Sequence, residues 1–163
     1  MAIHETAFIH PAAVVLGDVT LGARASVWPT AVIRADSDRI VVGADCNIQD
    51  GAVLHADPGL PTVLGERVSV GHRAIVHGST VEDDCLIGMG AILLNGVHVG
   101  RGSLVAAGAV CREGMRIPAG SVVVGIPARV AREATSEIGE RIEHTWRAYL
   151  RLQEEHRAGK HGR

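Results

Sequence analysis

Aliphatic residues recur every six positions along most of the chain. Stepping by six from Ile3 meets Ile9, Val15, Leu21, Val27 and Ile33. After an insertion the count resumes at Val42, Ile48 and Leu54, and after a second at Leu64, Val70 and Val76. A one-residue deletion follows, and then Val81, Ile87, Leu93, Val99, Val105, Cys111, Ile117 and Val123 complete the run. Four places after many of these aliphatics stands a small residue, among them Ala25, Ala31, Cys46, Ala52, Ala74, Cys85, Ala91 and Ala109. Glycine or another turn-tolerant residue often follows the aliphatic directly, as in Leu21-Gly22, Leu64-Gly65 and Val70-Gly71, and is expected at the corners. A period of six is neither helical nor a simple alternation. It predicts a prism of short parallel strands, three hexads per coil, with the aliphatics inward and small residues where the walls converge and turn. A side of six residues measures roughly 20 Å, and coils stack about 4.8 Å apart. The expected fold is an all-β solenoid, a parallel β-helix of about seven coils over residues 1–130. The hexapeptide version winds left-handed, against the usual crossover rule.

The period changes near Ala131. Ile138, Ile142, Trp146, Tyr149 and Gln153 form a stripe at helical spacing, behind Thr135 or Ser136 as N-cap. One C-terminal helix over residues 131–157 is expected to lie along the prism, with a frayed tail over 158–163. Composition agrees with this picture. Aromatic residues are 2% of the chain against 20 glycines, because a narrow three-walled prism has no space for rings. The rings are therefore expected outside it. A net charge of −2 with no basic block argues against nucleic-acid and anionic-membrane partners. No stretch is long and apolar enough to span a membrane. Three cysteines without C-x-x-C spacing fit a reducing compartment, and the cytoplasm is the expectation.

The register also sorts the nine histidines. Six of them (His4, His10, His98, His144, His156, His161) have no partner pattern and read as solvated. His55 and His77 each directly follow an inward aliphatic, Leu54 and Val76, three hexads apart. They occupy one slot on successive coils, spaced for two imidazoles to share a metal ion. His72 lies two places after Val70 on the preceding face, too far along the chain to reach the same ion within one subunit. A neighbour rotated about a parallel axis would bring its own His72 to the pair. The expectation is a homotrimer with three intersubunit sites. Arg34 falls in the column of His55 one coil earlier, and Asp50 in the column of His72. Arg34 of one chain should thus lie level with Asp50 of the next, with Asp36 as a second anchor for the guanidinium. Gln49, beside the slot of Gly71, is placed to hydrogen-bond a metal-bound water.

The segments WPTAVIRAD (residues 28–36), NIQDGAVLH (47–55), VGHRAIVHG (70–78), IGMGA (87–91) and VVGIPARVAR (123–132) resemble the gamma-class carbonic anhydrase-like family over nearly the whole chain. The resemblance implies His55, His72 and His77 as ligands of Zn²⁺, or of Fe²⁺ or Co²⁺. It implies Arg34, Asp36 and Asp50 as the interface and active-site ion-pair set, and Gln49 and Asn47 as water-orienting residues. A helix tyrosine, here Tyr149, reaches a neighbour's site in some relatives. The implied reaction is the reversible hydration of CO₂ to bicarbonate. The chain departs from active archaeal members in its acids: Ser37 follows Asp36, and the loop after His55 carries only Asp57. Weak or lost activity is the expectation from that departure. Two other readings stay open: a non-catalytic trimeric metalloprotein or accessory protein, and a hexapeptide acyl-CoA transferase. The transferase would need a long loop carrying a base, and no insertion in the prism exceeds four residues.

Overall fold

The computed structural model describes residues 1–161. It is a parallel β-solenoid in which each coil is hydrogen-bonded to the next through three stacks of short strands. One stack runs through Val14–Leu21, Val32–Val42, Val53–His55, Ile75–His77, Ile92–Leu93 and Val110–Cys111, all in parallel register. We call this the histidine face. A second stack holds Ala2–Ile3, Thr62–Leu64, Thr80–Val81, His98–Val99 and Arg116–Ile117. The long strands Val14–Leu21 and Val32–Val42 join it to the first by running through the corner. A third stack contains Phe8–Ile9, Ser26–Val27, Asn47–Ile48, Ser69–Val70, Leu86–Ile87, Leu104–Val105 and Ser121–Val124.

The inward aliphatics from Leu21 to Val123 are 0–2% exposed and form one continuous core. Ile3 and Ile9, in the open first coil, are 38% and 37% exposed because no earlier coil covers them. The small residues four places on are buried where the walls meet, as expected.

The corners differ from expectation in one respect. Glycines that directly follow an aliphatic do not turn the chain. Gly43 is typical: a Cβ there would sit 2.2 Å from the carbonyl oxygen of Gly65. These glycines let successive backbones approach. The left-handed turning residue stands three places after the aliphatic instead. Early coils use Arg24, Thr30, Asp45, Arg67, Arg73 and Asp84, and later ones glycines such as Gly102. At most of these corners the turning N–H donates to a carbonyl one coil below, as Asp45 does to Ala23 and Arg73 to Asp50. That bond offsets part of the cost of the left-handed region for a side-chain-bearing residue. Arg24 with Asp45, and Arg67 with Asp84, add ion pairs between stacked corners.

The C-terminal helix spans Ser136–Arg157, so it starts later than residue 131. Residues Arg129–Glu133 form a strand antiparallel to Ser121–Val124, after a reversal at Gly125. Hydrogen bonding to the last coil's open edge wins there over helix propensity. Thr135 is the N-cap, with no side-chain capping bond. The helix lies on the third stack, where the outward residues Leu86, Leu104 and Val122 pack with Ile142, Ile138 and Trp146. The rings lie outside the prism. Phe8, Trp28, Tyr149 and His156 form one cluster between helix and wall, with Trp28–Tyr149 centroids 5.2 Å apart. His156 is thus packed rather than solvated. Of the tail expected to fray, residues 158–161 fold back: Lys160 and His161 each pair with Glu155 at 2.8 Å and hold its carboxyl down at about 2. Residues 162 and 163 lie outside the described residues. No helix among the described residues is long and apolar enough to cross a membrane.

Two outcomes check this packing. Gly43→Ala drives a Cβ into backbone and should cost about 2–4 kcal/mol. Gly102→Ala meets open space and carries only the left-handed strain, about 1 kcal/mol. Thermal melting should therefore rank Gly43→Ala well below Gly102→Ala, and equal losses would refute the close-approach role. Burial pushes the thiols of Cys46 and Cys85 up to about 12 and that of Cys111 to about 11. A thiol reagent at neutral pH should label no cysteine in the folded protein and all of them after denaturation.

Candidate metal centre

Parallel register puts Arg34 opposite His55 and His55 opposite His77 on three successive coils of the histidine face. All three side chains therefore leave the same side of the wall. Nδ1 of His55 faces Nε2 of His77 at 2.9 Å. Two nitrogens bound to one tetrahedral ion lie about 3.3 Å apart, given metal–nitrogen distances of about 2.0–2.1 Å. The pair is already close to that spacing.

The outer nitrogens are tied from behind. His55 Nε2 lies 3.1 Å from Asp36 Oδ1, and His77 Nδ1 lies 2.8 Å from Asn95 Oδ1. Asn95 donates its amide to Asp57 Oδ2 at 2.8 Å, which fixes its oxygen toward His77. Both rings thus donate outward, and in their neutral forms both inner nitrogens present lone pairs to each other. Facing lone pairs call for a cation between them, and a carboxylate or amide behind each imidazole is the support that metal-binding histidines require. The donor set fits a divalent ion. His55, His77 and Asp57 also bring three ligand atoms within 4.8 Å of one another.

His72 is elsewhere in the protomer, at the corner leaving the third stack. Its Nδ1 is 2.9 Å from Asp50 Oδ2, and its Nε2 lies 3.5 Å from the Tyr149 hydroxyl. It does not join the His55–His77 pair within one chain, as its column predicts. Asp50 holds His72 of its own chain, while Arg34 pairs with Asp36. The guanidinium holds the Asp36 carboxyl below the usual carboxylate range, with a smaller contribution from His55. Gln49 and Asn47 are buried in a chain of amides: Gln49 Nε2 donates to Asn47 Oδ1 at 2.9 Å, and Asn47 Nδ2 donates to Ser69 at 2.8 Å. Gln49, His72 and Tyr149 line a cavity of about 460 Å³ between the helix and the third stack. Burial, with the Asp50 charge added, pushes the Tyr149 phenol up to about 12, so it is a hydroxyl donor at neutral pH.

Asn95 is the residue the sequence reading omits. Its signal was present: it stands two places after Leu93, one coil above Gly78 in the same column. A Cβ at Gly78 would meet Asn95 Oδ1 at 2.2 Å, so the glycine makes the space through which the amide reaches His77. Asn95→Leu removes that bond at similar volume. It should weaken divalent-metal affinity by about 10–100-fold, read by competition with a chromophoric chelator. Unchanged affinity would show that the amide does not orient the ligand.

The chain is similar to known proteins along most of its length. Residues 78–113 match the family model described as bacterial transferase hexapeptide (six repeats). A protein of Methanocaldococcus jannaschii named "Probable carbonic anhydrase" is 45% identical over 152 residues, covering 93% of this chain and 96% of that protein. The mitochondrial gamma carbonic anhydrase 2 of Arabidopsis thaliana is 41% identical over 94% of this chain, which spans 58% of the plant protein. The carnitine operon protein CaiE of Escherichia coli is 38% identical over 83% of this chain and 69% of its own. A crystal structure of a hexapeptide transferase family protein from Anaplasma phagocytophilum superposes with a TM-score of 0.90 at 35% identity, covering 94% of this chain and 90% of that one. The family is thus varied in the chemistry its members are named for, but 45% identity over 93% of this chain to the protein named probable carbonic anhydrase decides the branch. The chain belongs to the gamma-class carbonic anhydrase-like family of hexapeptide-repeat proteins.

Proposed function

We propose that the protein catalyses the metal-dependent, reversible hydration of CO₂ to bicarbonate on the seams of a cytoplasmic homotrimer. Each site is formed by His55 and His77 of one subunit and His72 of the next. The observation that carries this reading is the pair of inner imidazole nitrogens 2.9 Å apart, each ring held from behind by Asp36 or Asn95. Its support in kind is the His72–Asp50 pair, a third, half-exposed imidazole oriented by a carboxylate, with Nε2 3.5 Å from the Tyr149 hydroxyl. Zn²⁺ suits the ligands best, and Fe²⁺ or Co²⁺ are accepted alternatives. When bound, the ion supplies water whose pKa is lowered to about 7, and so a hydroxide nucleophile at neutral pH.

The chain's own groups do the positioning. Gln49 has committed its amide N–H to Asn47. Its carbonyl oxygen is left as an acceptor and, with an ion held by the histidines, would orient a hydroxyl toward CO₂. Tyr149, protonated and beside His72, can donate to an oxygen of the product. Arg34 and Asp36 sit on the seam next to His55, where the guanidinium would also meet the neighbour's Asp50. The proton released has few acceptors: Ser37 follows Asp36, and Asp57 is the one acid in the loop after His55. Slow turnover is the consequence. That same feature favours a second reading, a trimeric metalloprotein with no CO₂ chemistry. Stoichiometric metal with hydration at the buffer background would establish it over the first.

A shared site predicts complementation. His72→Ala and His77→Ala should each abolish stopped-flow CO₂ hydration by the metal-loaded protein. Subunits of the two variants, unfolded and refolded together, should recover about a quarter of wild-type activity, since a random cyclic assembly makes one seam in four intact. No recovery from well-formed mixed trimers would refute an intersubunit site.

A further inference from the structure

The insertion after His55 is not a slack loop. Asp57, Pro58, Gly59 and Leu60 form a tight turn closed by the Leu60 N–H donating to the Asp57 carbonyl at 2.9 Å. Proline at the second position and glycine at the third, with φ +78, are what a type II turn demands. Proline also restricts the residue before it to extended backbone. The turn is clamped from the preceding coil, where Asp38 Oδ2 accepts the Gly59 N–H at 2.8 Å. Asp57 is therefore presented by a stiff element. Asn95 binds one of its oxygens, Oδ2, at 2.8 Å, and the other, Oδ1, lies 3.9 Å from His77 Nε2. No arginine or lysine among the described residues pairs with this carboxylate. One atom of this carboxylate and one ring nitrogen of each histidine lie within 4.8 Å of one another, with Oδ1 nearest to His77 Nε2.

We infer that Asp57 is itself a metal ligand, so that one chain carries a complete three-donor site of two imidazoles and one carboxylate. Two imidazoles plus one carboxylate is a recurrent protein ligand set for zinc, and hard and borderline divalent ions share it. The His–His and His–Asp separations, 2.9 and 3.9 Å, bracket the spacing of about 3.3 Å between donors on a tetrahedral ion. A small movement of the Asp57 side chain closes the set. The protomer can then take its ion without a neighbour, and the neighbour's His72 would arrive at a site already loaded, leaving water to a fifth position. The inference rests on the metal reading of His55 and His77, and it adds an oxygen donor to it.

The test is a titration of Co²⁺ and Zn²⁺ into the full-length apoprotein. Wild type, Asp57→Asn, His72→Ala and the double variant are compared, with affinity from chelator competition and the visible Co²⁺ spectrum as a readout of coordination. Asp57→Asn should weaken binding by about tenfold or more and shift the Co²⁺ bands. His72→Ala should keep one ion per chain, and the double variant should lose it. The Asp57→Asn loss should also persist in the Asn95→Leu background, where a residue acting only through the amide would have no further effect. If His72→Ala abolishes binding while Asp57→Asn leaves affinity and spectrum unchanged, the inference falls and the intersubunit triad stands. If wild type takes up no ion at all, both fall. Circular dichroism of each variant separates lost binding from lost fold.

Discussion

The hydrogen bonds that join each coil to the next hold the rest of the structure in place. They lock successive strands in parallel register, so a side chain's slot within its hexad decides which neighbours it has one coil above and below. His55 meets His77, Arg34 meets His55, and Asp50 meets His72 because of that lock. The core imposes the same condition from inside. A prism narrow enough for three aliphatics per coil admits no slip, since a shift by one residue would turn the buried set outward. The paired imidazoles are therefore placed by the stacked coils themselves, without a dedicated scaffold.

The exceptions to the register are as informative as the rule. The insertion between Ile33 and Val42, the insertion between Leu54 and Leu64, and the deletion between Val76 and Val81 all fall at the same corner, where the chain leaves the histidine face. Extra backbone there carries the strand Val32–Val42 through the corner and builds the turn that presents Asp57. Asp38, from the first insertion, clamps the second. Elsewhere the hexads are unbroken. The solenoid departs from its own repeat only beside the paired imidazoles, and the departures supply polar groups that a regular coil has no room to offer.

Much of this was legible in advance because a six-residue period is its own coordinate system. The faces, the inward set, the stacking of His55 on His77 and the separation of His72 follow from counting. The helix face followed from its 3.6-residue stripe, but its start did not. Residues Arg129–Glu133 pair with the open edge of Ser121–Val124, a contact that local propensity does not encode. The corners were assigned to the wrong residues for a related reason. Glycine can serve either a left-handed turn or a close approach, and only the stacked backbones show that Gly43 does the second while Asp45 does the first.

The scarcity of rings, the hexad and the histidine columns belong to the sequence alone, because one-dimensional periodicity and a three-walled cross-section determine them together. What the tertiary structure decided is the direction and support of individual polar groups. It turned Asn95 through the space left by Gly78 onto His77. It gave Asp50 to His72 and Asp36 to Arg34 and His55. It set Tyr149 beside His72, and it fixed Asp57 in a turn facing the imidazoles. These depend on side-chain reach across coils and on loop geometry at a corner, which no count along the chain can supply.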